Sequence, residues 1–112
     1  MDTVKSYQKI LIRLLEKHAA YKPANIPDAE RQVIADTERN HYQLVTIGWE
    51  GDRFVHNCSF HFDIKEGKVW IQQNRTDINI ADELVSMGIP KTDIVLGFQP
   101  PYTRPFSGYA VA

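Results

Sequence analysis

Three histidines, a cysteine and an Asp-x-Lys triplet fall within one run, His41 to Asn74 (HYQLVTIGWEGDRFVHNCSFHFDIKEGKVWIQQN), and these are the side chains through which the chain could do chemistry. Histidines on neighbouring strands can share a metal ion. His56 and His61 are five residues apart, which on a period of two points them to opposite faces unless a bulge intervenes. His41 sits beside a turn. With no cysteine pair and no His-Glu-x-x-His spacing, no metal or other cofactor is expected, and the histidines read as structural. Asp63-Ile64-Lys65 has the form of half a metal-dependent nuclease site, in which a carboxylate binds Mg²⁺ and a lysine steadies the attacking water or the scissile phosphate. A second carboxylate is needed, and Asp36, Glu38 and Glu50 are candidates by proximity only. Cys58 as a nucleophile would need an exposed, electropositive setting and a base, for which His56 is the candidate. On an apolar face it is more simply a small buried hydrophobe. No Gly-rich phosphate loop and no Ser-His-Asp order is present. The residues describe a binding or regulatory domain rather than an enzyme.

The elements that position these residues follow from turn chemistry. Gly51-Asp52 is a two-residue hairpin loop with glycine first, where a positive φ suits a type II′ turn, and Glu66-Gly67 is a second loop of the same length. With both loops at two residues, Trp49 lies opposite Phe54, Val45 opposite Cys58, Phe62 opposite Ile71 and Ile64 opposite Val69. Alternation then puts Val45, Ile47, Trp49, Phe54, Cys58, Phe60, Phe62, Ile64, Val69 and Ile71 on one apolar face. The other face carries Tyr42, Leu44, Thr46, Val55, Asn57, Ser59, His61, Asp63, Trp70 and Gln72, with Tyr42, His61 and Gln72 in one row and Asp63 opposite Trp70. Aromatics that supply area beside polar groups that set register are the mark of a protein interface. Tyr42, His61, Asp63, Trp70 and Gln72 are therefore the candidate partner-binding residues. The alternative is that the helices cover this face and its polar groups pair with one another.

Around this meander, Val4, Tyr7, Leu11, Leu14, Leu15 and His18, with Ile10 alongside, define one face of an N-terminal helix reaching about Ala20. Lys5, Lys9, Arg13 and Lys17 fall on its other side, as a solvated face or as a row whose DNA affinity would drop steeply with salt. Pro23 and Pro27 make Tyr21 to Asp28 an extended linker. Arg31 to Asp36 reads as a short first strand, and Thr37 to Asn40 as the turn into the meander. A second helix starts near Asn79 as its cap, with Ile80, Leu84 and Met87 on one side, and stops at Gly88. Pro90 opens a further short turn before Ile94-Val95-Leu96. The tail from Gln99, with Pro100, Pro101 and Pro105, reads as extended and partly irregular. The expected fold class is α+β, one domain over residues 1–112: an antiparallel meander of about four strands, an N-terminal helix and one or two short C-terminal helices.

At 112 residues the chain suits a single two-layer core. A formal net charge of −1 argues against nucleic-acid binding by bulk electrostatics. The single cysteine excludes an intrachain disulfide and fits a reducing compartment. The charged N-terminus lacks the apolar core of a signal peptide, and no apolar stretch is long enough to span a membrane. The expected location is the cytoplasm.

Several stretches together resemble the XisI family of fdxN element excision controlling factors. They are Asp36-Thr37-Glu38-Arg39 with His41-Tyr42-Gln43-Leu44, Ile47-Gly48-Trp49, Asp63-Ile64-Lys65 with Gly67-Lys68-Val69-Trp70-Ile71-Gln72, Ala81-Asp82-Glu83-Leu84, Gly88-Ile89-Pro90-Lys91 with Asp93-Ile94-Val95-Leu96, and Tyr109-Ala110-Val111-Ala112. The resemblance spans nearly the whole chain and carries no catalytic motif onto numbered positions. It implies a small cyanobacterial α+β protein connected with programmed excision of a DNA element during heterocyst differentiation. It also implies an XisH-like protein partner of nuclease fold and a site-specific recombinase that performs the strand chemistry. Self-association into a dimer is a further use that such an open sheet face would serve.

Overall fold

A computed structural model describes residues 2–21 and 26–112, so the part of the Pro23 linker at 22–25 lies outside the described residues. Helix α1 spans Thr3–Ala19, and Asp2 caps it by accepting from the Val4 and Lys5 amides. The strands are β1 (Glu30–Asp36), β2 (His41–Glu50), β3 (Arg53–Lys65), β4 (Lys68–Asn74) and β5 (Ile94–Leu96), ordered β1-β2-β3-β4-β5 in one sheet. Helix α2 (Ile80–Ser86) is capped by Asn79 and precedes a 3₁₀ turn at Lys91–Asp93. The fold is α+β, with five strands rather than about four: β5 pairs parallel to β4, and α2 forms the crossover between them. Ile94-Val95-Leu96 is buried on every residue although it ends the sheet, since its outer side is covered by the C-terminal tail, where Val95 bridges Ala110. The tail from Pro101 to Phe106 is a 3₁₀ helix rather than extended, with proline at its N-terminal position. No helix among the described residues is long and apolar enough to cross a membrane.

Both two-residue loops form where the turn residues place them. Gly51 has φ +60, while Glu66 and Gly67 both have positive φ, at +52 and +77, as a type I′ turn requires. The β1–β2 connection is closed by Asp36, whose Oδ1 accepts the Glu38 and Arg39 amides at 3.0 Å each, before Asn40 turns at φ +61.

Between the turns, two β-bulges redistribute the faces. Near Gly51 the register is the expected one, with Trp49 opposite Phe54 and Val45 opposite Cys58. Between Leu44 and Val45 it shifts by one residue, leaving Ser59 unpaired and placing Leu44 opposite Phe60, Tyr42 opposite Phe62 and His41 opposite Asp63. A second shift, between His61 and Phe62, leaves Gln72 as the extra residue of β4. Because a one-residue shift inverts the side-chain set, Tyr42 and Leu44 join Phe60, Phe62, Ile64, Val69 and Ile71 under the helices, all in one core with Tyr7, Leu11, Leu14, Leu15, Ile80 and Leu84. The expected single apolar face is thereby corrected. Val45, Ile47, Trp49, Phe54 and Cys58 alternate onto the face away from α1, and Trp49 and Phe54 are 60% and 52% exposed.

Beyond the Ser59 bulge the helix-side face is covered by the chain entering β1, where Ile26 and Ala29 pack on Val55. Gly48 permits this approach. A Cβ there would lie 2.9 Å from Ile26 Cγ2 and 3.2 Å from the Ala29 Cα. Helices α1 and α2 are tied by Glu83, which takes Lys17 Nζ at 2.8 Å and His18 Nε2 at 3.1 Å. The Tyr7 hydroxyl donates to Asp93, and burial together with that carboxylate pushes it up to about 12.

Candidate functional site

The polar centre of the sheet's open face lies on three adjacent strands. Asp63 on β3 is opposite both His41 on β2 and Trp70 on β4, while His61 is two residues before Asp63 and so shares its face. The His41 Nδ1 is 2.7 Å and the His61 Nε2 3.0 Å from the same oxygen, Asp63 Oδ1. Gln72 Nε2 donates to the other oxygen, Oδ2, at 3.2 Å. The bulge at Ser59 is what brings His41 to this group, since without it His41 would face Phe62, and the bulge at Gln72 sets that residue between the Phe62–Ile71 and His61–Gln73 pairs. The Asp63 side chain is 11% exposed, against 30% for His61 and 55% for His41, so a buried carboxylate is roofed by two rings that meet solvent. Burial pushes the Asp63 carboxyl up, but the bonds from His41, Gln72 and His61 and the charge of His61 together outweigh it and hold it below the usual carboxylate range.

Of the five residues expected to bind a partner, His61, Asp63, Trp70 and Gln72 come together on this face. Tyr42 does not. It is fully buried on the opposite face, and its hydroxyl donates to Asn40 Oδ1 at 3.0 Å. The expected row of Tyr42, His61 and Gln72 is therefore broken at both bulges, although Asp63 does lie opposite Trp70. Trp70 carries two cations, Lys65 Nζ at 4.6 Å and Arg104 Cζ at 5.2 Å from the ring centroid.

The other candidates disperse. Lys65 of the Asp-x-Lys triplet is drawn over Trp70. Among the described residues no second carboxylate joins the histidines at Asp63: Asp36 holds its own turn and Arg39, and Glu50 pairs with Arg53 at the far end of the hairpin. His56 and His61 share a face after all, because of the Ser59 bulge. Their β2 partners, Ile47 and Gln43, are four residues apart, about 13 Å at strand rise, so the two do not converge. Cys58 is half-buried, and burial pushes its thiol up, away from nucleophilic character. Lys5, Lys9 and Arg13 are exposed on α1, whereas Lys17 is held by Glu83.

Further along the same face, Trp49 and Phe54 meet edge to face at 5.1 Å between ring centroids, and Ile34 of β1 is 45% exposed. The register expected near the Gly51 turn holds, but it carries these aromatics to the open face rather than into the expected core. A conflict in the sequence marks the difference. Matching the apolar alternation Tyr42-x-Leu44 to Phe60-x-Phe62 demands a register one residue away from the one the Gly51 turn sets, and only a bulge satisfies both.

The molecule is a small α+β domain that carries its helices on one face of a five-stranded sheet and an aromatic and imidazole-carboxylate group on the other. The chain matches the family model for XisI protein over residues 1–111, and it belongs to the XisI family. It is similar to the crystal structure of a XisI-like protein from Anabaena variabilis ATCC 29413, with 50% sequence identity, a TM-score of 0.89, and coverage of 97% of this chain and 99% of that one. It is also similar to the fdxN element excision controlling factor XisI from the same organism, at 29% identity and a TM-score of 0.81, covering 99% of this chain and 100% of that one. No functionally curated protein matches it.

Proposed function

We propose that this chain is a controlling factor for the excision of a DNA element that acts without catalysis of its own, by binding a protein partner through the open face of its sheet. Membership of the XisI family and the name of the fdxN element excision controlling factor support the excision role. The observation that carries the mode of action is the aromatic pair Trp49 and Phe54, both more than half exposed, on the face that α1 and α2 leave open. Exposed aromatics that cluster, with polar groups at their margin, are where interface energy concentrates. On this face the polar group of His61, Asp63, Trp70 and Gln72 begins about 20 Å further along the same strands, since the β2 partner of His61 is Gln43, six residues from Trp49. The partner is an XisH-like protein, and the strand chemistry belongs to a site-specific recombinase acting with them.

The test is capture of a purified XisH-like protein by the immobilised chain. Wild type retains the partner, and the Trp49→Ala/Phe54→Ala double variant loses it by at least about 30-fold in affinity, as about 2 kcal/mol of hot-spot energy implies. Equal capture by both proteins refutes the surface. No capture by wild type refutes the partner.

A further inference from the structure

Two imidazole nitrogens converge on one carboxylate oxygen at 2.7 and 3.0 Å, while the second oxygen of Asp63 is engaged by the Gln72 amide. The three donor atoms of His41, His61 and Asp63 all lie within 4.8 Å of one another. Zinc bonds of ~2.0–2.1 Å set neighbouring tetrahedral ligands about 3.3 Å apart, so the group reaches coordination geometry when the two short contacts to Asp63 Oδ1 open about half an ångström and the two imidazole nitrogens, within 4.8 Å of each other, draw together to the same spacing. Two histidines and a carboxylate suit late first-row divalent cations and leave coordination positions open. Gln72 does what an outer residue does at such centres: it holds the non-ligating oxygen and so fixes the carboxylate's orientation. The strands supply the rigidity, with His41 on β2, His61 and Asp63 on β3 and Gln72 on β4. Solvent supplies the route in, since the His41 side chain is 55% exposed and that of His61 30%, over a carboxylate that is itself 11% exposed.

We infer that His41, His61 and Asp63 form a binding site for one divalent transition-metal cation of the Zn²⁺ class, with Gln72 as the positioning residue for Asp63. The remaining coordination positions face the open side of the sheet, available to water or to a donor atom presented there. The Asp-x-Lys triplet thus contributes its aspartate to an imidazole-rich site, while its lysine is held at Trp70.

The experiment uses the full chain, stripped with EDTA, titrated with Zn²⁺ by calorimetry and with Co²⁺ by visible absorption. The expected result is one equivalent bound per chain. The affinity falls at least about 100-fold in His41→Ala and in His61→Ala, and about tenfold in Gln72→Ala. His56→Ala, which alters an exposed histidine elsewhere on the same face, binds as wild type does. Circular dichroism of His41→Ala, whose side chain is more than half exposed, verifies that the loss is not one of folding. Absence of saturable binding by wild type overturns the inference. So does binding that survives both His41→Ala and His61→Ala.

Discussion

Tyr42 and Trp49 exchange roles between the unbulged register and the folded chain, so truncating each decides between the two arrangements. Tyr42 is 0% exposed and packs among Leu44, Phe60, Phe62 and the leucines of α1. Removing a buried aromatic ring costs about 3–5 kcal/mol through lost transfer energy and the cavity left behind. That is a large part of the roughly 5–15 kcal/mol that holds a domain folded. Tyr42→Phe keeps the ring and loses the hydroxyl's contacts with Asn40 Oδ1 and the Gln8 amide, while Asn40 Oδ1 still accepts from Gln8 Nε2 at 2.8 Å. Its cost is then about 0.5–1.5 kcal/mol, because no buried acceptor is left unpaired. Trp49, at 60% exposure, loses in Trp49→Ala little more than its edge-to-face contact with Phe54, about 1 kcal/mol. Urea unfolding followed by circular dichroism reads all three. At an m-value of ~2 kcal/mol per M, a loss of about 4 kcal/mol lowers the midpoint by about 2 M. The expected order is Tyr42→Ala far below Tyr42→Phe and Trp49→Ala. A Tyr42→Ala midpoint within about 0.5 M of wild type, with Trp49→Ala strongly destabilised, would refute the bulged register and the site built on it.

Three other outcomes follow from the geometry. Gly48→Ala forces a Cβ to within 3.2 Å of the Ala29 backbone and 2.9 Å of Ile26, an overpacking of about 1–3 kcal/mol that thermal unfolding detects and that an unchanged midpoint would contradict. Burial pushes the Glu83 carboxyl up, yet the bonds and charges of Lys17 and His18 outweigh it and leave the folded-state value below the usual one. Its stabilisation is therefore complete above the unfolded-chain carboxylate range and is lost as pH falls through the folded value. Glu83→Gln should lower stability at neutral pH and flatten the loss seen as pH falls through and below the unfolded-chain carboxylate range, and an acid limb as steep as wild type would count against the Glu83 link. Incubated with supercoiled DNA and Mg²⁺ or Mn²⁺, neither wild type nor Asp63→Ala is expected to nick it. Nicking by wild type that Asp63→Ala abolishes would replace the non-catalytic reading with a nuclease.

Local chemistry made much of the fold legible. The three- and four-residue apolar spacing marked the buried face of α1, Asn79 and Gly88 bracketed α2, and Gly51 and Gly67 located both hairpin loops. These signals are short-range: a cap, a positive φ or a helical period is settled within a few residues. Ile94-Val95-Leu96 was visible as an apolar run. Its parallel pairing with β4 was not, because a three-residue strand without alternation carries no partner information. The placement of the candidate partner-binding residues was legible in part. Alternation puts His61, Asp63, Trp70 and Gln72 on one face, as the fold does, but it puts Tyr42 there too and gives no sign of His41.

The sequence by itself determined the family, the helix face, the two tight turns and the strand pairing nearest each turn, since each of these is written in residue type and spacing. Only the tertiary structure decided which face of the long hairpin is covered and that two histidines and an aspartate meet. Packing Tyr42 and Leu44 against α1 while keeping the Gly51 turn forces one extra residue into β3 at Ser59. That single insertion turns Trp49 and Phe54 outward and brings His41 to Asp63. The physical reason is the strand's period of two, under which one residue of slip exchanges the buried and open sets, and burial energy summed over the whole core selects the slip.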